Sequence, residues 1–300
     1  MTNAVLRVFL LVLLALPLQG LPAQQSFPSP DAAVDALILA LGSQRADPAR
    51  MAALLGEQWR SYIPLEGIER EDVDAFLALY REHHEIRSTA PDQAVLVVGQ
   101  EAWEFPLPLM RDASGWRFDT QAGGETIRVR RIGRNELATL QAVRAYHDAQ
   151  MDYAEVDRDG DGALEYAQQF VSRDGQHDGL YWVEQPGLEE SPLGPLFGDE
   201  LPDGDWQGYR YRILSAQGPS APGGAYDYLL GDNMSRGFAL IAWPSAYGDS
   251  GVMSFMISHE GRVFEKDLGP DGGNQALAMS RFDPDSSWHE VDQTVQAALP

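Results

Sequence analysis

Asp157, Asp159 and Asp161 alternate along the run V-D-R-D-G-D-G-A-L-E-Y-A-Q-Q-F (156–170), with Gly162, Leu164 and Glu165 directly after them. Hard cations such as calcium need several oxygens converging on one point, and acidic side chains at alternate positions of a turning loop supply them. In the helix–loop–helix calcium site, loop positions 1, 3 and 5 carry carboxylates or amides. Position 6 is a glycine for the sharp turn, and position 12 is a glutamate that binds through both oxygens. Asp157, Asp159, Asp161 and Gly162 fit the first half, and Leu164 is the apolar residue of position 8. Position 12 is Gln168, which cannot give two charged oxygens to one ion. The expected ligand set is therefore Asp157, Asp159, Asp161 and Glu165, with Ca2+ as the cofactor at reduced affinity. The competing expectation is an Asp/Gly turn between two helices.

Other reactive residue types are weaker leads. Gly248-Asp249-Ser250-Gly251 copies the nucleophile string of chymotrypsin-like proteases, but that chemistry also needs a histidine base and a buried carboxylate. None of the six histidines lies in a partner motif, so a turn between strands is the better reading. His83 and His84, if helical, point about 100° apart and cannot easily share zinc. His147, His177, His259 and His289 are scattered along the chain. Arg128, Arg130, Arg131 and Arg134 form the dense basic cluster, readable as an anion site or, preferably, as interdomain partners for carboxylates. Asp174-Gly175 and Asp178-Gly179 read as turns before they read as extra metal ligands. The pairs Tyr209/Tyr211 and Tyr226/Tyr228 have strand spacing, with a ligand groove as the lesser reading.

Composition sets the frame. Arg7 is the one charge before the apolar run Val8–Leu16, which is followed by Pro17 and small residues near Ala23. This reads as a secretory leader over 1–23, too short to span a bilayer, with cleavage after Ala23. The expected location is the periplasm or the extracellular space, with no transmembrane segment after leader cleavage. There is no cysteine, so core burial rather than disulfides must supply stability. The net charge is −23, one unit more negative without Arg7. Such a surface disfavours nucleic acid and anionic membranes as partners.

The positioning elements are set by periodicity. Apolar spacing over 31–56 predicts two helices, starting at Ser29-Pro30-Asp31 and Asp47-Pro48, and Asp72–Tyr80 predicts a third. Ala94–Val98, Ala102–Leu109, Trp116–Asp119 and Thr126–Ile132 read as strands. Asn135–Val156 is the strongest helix, with Leu137, Leu140, Val143, Tyr146 and Met151 on its buried side, and one or two helical turns come next at Leu164–Phe170. A Pro-rich loop through Pro186, Pro192, Pro195 and Pro202 leads to strands at Tyr209–Leu214, Gly237–Trp243, Gly251–Ser258 and Arg262–Lys266, the last two joined by the turn His259-Glu260-Gly261. Trp288 in the tail packs back on the body. The expected class is α+β: an N-terminal α+β domain (27–132), a C-terminal helix-plus-sheet domain (134–270) and a tail (271–300).

Three resemblances attach to these residues. Helices followed by "PLPLMRDASGWRFDT" are similar to the nuclear-transport-factor-2-like fold, a sheet wrapped round a helix to leave a pocket. The joined motifs "DRDGDGALEYAQQF", "YRYRILSAQGPSAPGGAYDYL", "GFALIAWPSAYGDSGVMSFMIS" and "EGRVFEKDLG" resemble the bacterial exported family catalogued as domain of unknown function 2950. That likeness implies an exported protein with no catalytic residues to carry over. Ser250, Gly251, Phe255, Gly261 and Val263 match a strand-pair pattern of pseudopilin heads, which pack a long helix on an antiparallel sheet. No prepilin cleavage motif precedes the helix.

The function expected from these readings is an exported, non-catalytic periplasmic or envelope protein that binds or scaffolds an envelope protein or a small ligand. The alternatives are a hydrolase using an N-terminal pocket or the Ser250 turn, and an accessory pseudopilin-like component.

Overall fold

Ser29 starts the first helix: its Oγ accepts a hydrogen bond from Ala32 N at 3.2 Å. Pro30 occupies the first helical position, where a missing N–H costs nothing. Helix α1 covers Pro30–Leu41 and α2 covers Pro48–Leu55, the latter capped by Asp47, which accepts from Ala49 N and Arg50 N. Helix α3 is Arg70–Glu82. The computed structural model describes residues 24–63, 69–158, 160–183, 190–194 and 205–292. The expected leader 1–23, Asp159, and Pro186, Pro195 and Pro202 of the Pro-rich segment lie outside the described residues.

The first compact unit ends at Ile127. Its antiparallel sheet is built from β1 (His84–Ala90), β2 (Gln93–Val98), β3 (Trp103–Glu104), β4 (Leu109–Asp112) and β5 (Gly115–Phe118). The strand order is β1-β2-β4-β5, with β3 also pairing β2. Val34, Leu37, Leu54, Leu96, Leu109 and Phe118 form its buried core. The expected strand 102–109 is two strands instead. Pro106 and Pro108 lack the N–H groups that a continuous ladder needs. His83 caps α3 and His84 begins β1, stacking on Tyr80, so the pair is not helical.

The second compact unit starts at Arg128. It contains β6 (Tyr209–Leu214), β7 (Ala216–Gln217), β8 (Tyr226–Asp227), β9 (Ala239–Pro244), β10 (Met253–Ser258), β11 (Val263–Asp267) and β12 (His289–Glu290). The larger sheet runs β12-β11-β10-β9-β6, antiparallel throughout. The β10–β11 hairpin has Ile257 opposite Val263, closed by the expected turn at 259–261. Trp288 is buried against this body, with α5 (Gly272–Ala278) before it.

Helix α4 spans Thr120–Tyr153. It therefore absorbs Thr126–Ile132, which alternates like a strand but is helical. Asp119 Oδ1 caps the start by accepting from Ala122 N at 3.0 Å. Gly123 and Gly124 are required by packing: a Cβ would stand 2.3 Å from Leu107 Cδ2 at the first and 2.6 Å from the Tyr62 carbonyl oxygen at the second. From Arg128 onward α4 belongs to the second unit, where Val143, Tyr146, Ala149 and Tyr153 pack against sheet residues. Met151, expected inside, is exposed; Gln150 takes the buried place and is 0% exposed.

Candidate functional site

The acidic loop leaves α4 at Tyr153 and winds round its own first aspartate. Asp157 Oδ1 accepts from Gly160 N at 2.8 Å and Oδ2 from Gly162 N at 3.0 Å. Both glycines have left-handed φ (78° and 88°), which allows the chain to turn so tightly. Asp161 Oδ1 accepts from Ala163 N at 2.7 Å, and its other oxygen accepts from Asn233 Nδ2. Glu165 Oε2 accepts from Met234 N at 3.3 Å. Asp161 and Glu165 are thus drawn to one neighbouring dipeptide, Asn233-Met234, while Asp157 turns onto the loop's own amides. Among the described residues no three His, Asp or Glu side chains gather as a group able to hold a metal ion, and Asp159 lies outside them.

The segment after the loop is not helical. Tyr166 N donates to the Met234 carbonyl oxygen at 2.9 Å. Gln150 brackets the Ala167 peptide: Nε2 donates to its carbonyl oxygen at 2.8 Å, and Oε1 accepts from its N–H at 2.8 Å. Because these backbone groups are satisfied from outside, the expected helical turns at 164–170 do not form. The arrangement differs at this point from a helix–loop–helix calcium site.

Beside the loop lies a cleft of about 720 Å3. Glu165, Asp232 and Asn233 line it, so the acidic loop and the cleft share a wall. Arg158 lies over the rings of Tyr153 (4.9 Å) and Trp182 (5.2 Å) and donates to the Tyr153 carbonyl oxygen. His177 stacks on Trp182 at 4.2 Å, and Tyr153 Oη donates to the His177 carbonyl oxygen at 2.9 Å. Asp178 pairs with Arg173, accepting from both its backbone N and its guanidinium. Burial pushes the Asp178 carboxyl up, but those Arg173 hydrogen bonds outweigh it and hold its pKa below the usual aspartate value. Asp174-Gly175 forms the expected turn, with Gly175 left-handed.

The other candidates are brought into different company. Ser250 Oγ accepts from Ala246 N at 3.0 Å and shares bonds with the Ala246 carbonyl oxygen and Ser245 Oγ, so it closes the turn. Helix α4 clamps that turn. Arg128 donates to the Gly248 carbonyl oxygen, Arg131 pairs with Asp249, and Asn135 donates to the Ser250 carbonyl oxygen. Glu136 Oε1 accepts from both Val252 N and Met253 N. Arg131 finds its carboxylate within the second unit. His147 and His259 meet, His147 Nε2 lying 3.3 Å from the His259 carbonyl oxygen. Tyr209 and Tyr228 are fully buried structural residues whose hydroxyls donate to the Met253 carbonyl oxygen and to Gln217 Oε1.

Sequence reasoning missed Tyr153, Arg158, Gln169, Gln176 and Asp232-Asn233 as lining residues. Asn233 stands 72 residues from Asp161, and nothing in the local pattern of either announces the other.

The family described as protein of unknown function (DUF2950) matches residues 24–291, and the chain belongs to that family. No curated protein and no solved structure matches. Among the described residues no helix is long and apolar enough to cross a membrane.

Proposed function

We propose that this chain is an exported, non-catalytic envelope protein that binds a partner or small ligand through its second unit, with calcium held by Asp157, Asp159, Asp161 and Glu165. One observation carries the reading: Glu165 and Asn233, the latter bonded to Asp161, serve both the acidic loop and the cleft. A cation in the loop would draw its carboxylates together and stiffen the wall against which a ligand lies. The family match beginning at Gln24, just past the expected cleavage after Ala23, supports export. The Ser250 hydroxyl is spent inside its own turn, which supports a binding role over nucleophilic chemistry.

Without a charged residue at position 12, the affinity should fall in the range of extracellular calcium modules, Kd about 10⁻⁴–10⁻³ M. Thermal melting of chelator-treated protein tests this. At calcium near 100 Kd the expected gain is about 2.7 kcal/mol, abolished in Asp157→Asn/Asp161→Asn. A melting temperature indifferent to calcium would remove the metal from the account.

A further inference from the structure

We propose that the cleft beside the acidic loop receives a neutral, hydroxyl-rich ligand, a short oligosaccharide, recognised by side-chain amides and a flat aromatic platform. This rests on the reading of the second unit as a binding module. The charged groups of the lining are largely engaged with the scaffold: Arg173 with Asp178, Glu165 with Met234 N, and Arg158 with the Tyr153 carbonyl oxygen and two ring faces. No partner within the described residues takes the side-chain amide of Gln169 or Gln176, and both line the cleft. A primary amide presents two donors and an acceptor in one plane, and so suits neighbouring hydroxyls that each donate and accept. His177, backed on one face by Trp182, offers a ring on which the C–H face of a sugar can lie.

Other ligand classes fit less well. A polyanion would face Glu165, Asp178 and Asp232 on a chain of net charge −23. An apolar ligand would strip water from amides and carboxylates at about 1–3 kcal/mol for each group left unpaired. A cation would meet Arg158 and Arg173 in the same lining. A peptide adding as a strand needs a free backbone edge. Here the Gln169, Phe170 and Tyr181 carbonyl oxygens already accept from Leu180, Tyr181 and Ser172 N–H groups.

Tryptophan fluorescence and titration calorimetry on the leaderless chain, with maltotriose, cellotriose and N-acetylchitotriose as probes, test the assignment. Spermidine, trialanine and inorganic phosphate serve as controls, each run with calcium and with chelator. The expected result is saturable binding of at least one trisaccharide, weakened tenfold or more in Gln169→Ala/Gln176→Ala with an unchanged melting temperature. Failure of all three trisaccharides, or binding that survives the double variant within twofold, overturns the inference. Binding of a control probe alone also overturns it while sparing the binding-module reading. Loss of the calcium response would sink the metal part of that reading without touching the sugar result.

Discussion

Gln150 shows how a single polar side chain can position a site without touching a ligand. Its amide satisfies both polar groups of the Ala167 peptide and also donates to Tyr146 Oη at 2.9 Å, all at zero exposure. Gln150→Leu keeps the volume but leaves a buried N–H and C=O unpaired, at about 1–3 kcal/mol each. Denaturant unfolding should show a loss of about 2–6 kcal/mol; a loss below about 0.5 kcal/mol would mean that the anchor is dispensable. The sequence could not announce this role, because a glutamine on an amphipathic helix reads as solvent-facing, and the apolar spacing gives Met151 the buried place instead. His259 gives a second test at this scale. Its ring packs near Tyr228 and Phe238, Nε2 lies 3.3 Å from Tyr226 Oη, and buried Nδ1 has no partner within the described residues. Burial lowers its pKa below the ordinary 6.5, with nearby His147 adding to the effect and Glu260 opposing it. The unfolded chain therefore takes the proton first. The His259 contribution is present above pH 6.5 and is lost as pH falls below it. Urea midpoints should drop from pH 7.5 to pH 5.5 by more in the native chain than in His259→Asn; equal drops would contradict the assignment.

At the scale of elements, α4 does the most to place the second unit's parts. Its Asn135–Tyr153 portion was legible, since Leu140, Val143 and Tyr146 recur at helical spacing. The part before it was not. Thr126-Ile127-Arg128-Val129-Arg130 alternates with β-branched residues, and Gly123-Gly124 reads as a turn. Tertiary packing overrides that local preference, because the two glycines are needed for close approach to Leu107 and Tyr62. The same helix holds the 248–253 turn through Arg128, Arg131, Asn135 and Glu136. Glu136→Ala would strand the Val252 and Met253 N–H groups, lowering stability by about 1–3 kcal/mol. Glu136→Gln, which keeps an acceptor, should recover most of that loss. Equal losses in the two variants would show that the carboxylate charge, not the hydrogen bonds, is what matters.

For the whole molecule, the α+β class, the hairpin of β10 and β11, the buried Trp288 and the turn character of the Ser250 string were all legible in the sequence. The cleft was not, because a cavity is made by segments far apart in the chain. Asn233 meets Asp161 across 72 residues of chain, and Gln150 meets Ala167 across 17. The acidic loop was visible because its carboxylates are local in the sequence, whereas the absence of a helix after it depended on contacts from elsewhere. A strongly acidic chain without cysteine can offset crowded carboxylates either by cation binding or by hydrogen bonds to backbone amides, and this loop has the second kind already in place. Loop and cleft, joined through Glu165 and Asn233, should respond as one structure. Amide hydrogen exchange of residues 24–300, with saturating calcium and with chelator, measures this directly. Calcium should slow exchange both in 157–168 and in 232–234, with the β9–β10 core unchanged. Identical exchange in the two conditions, or slowing confined to the loop alone, would contradict it.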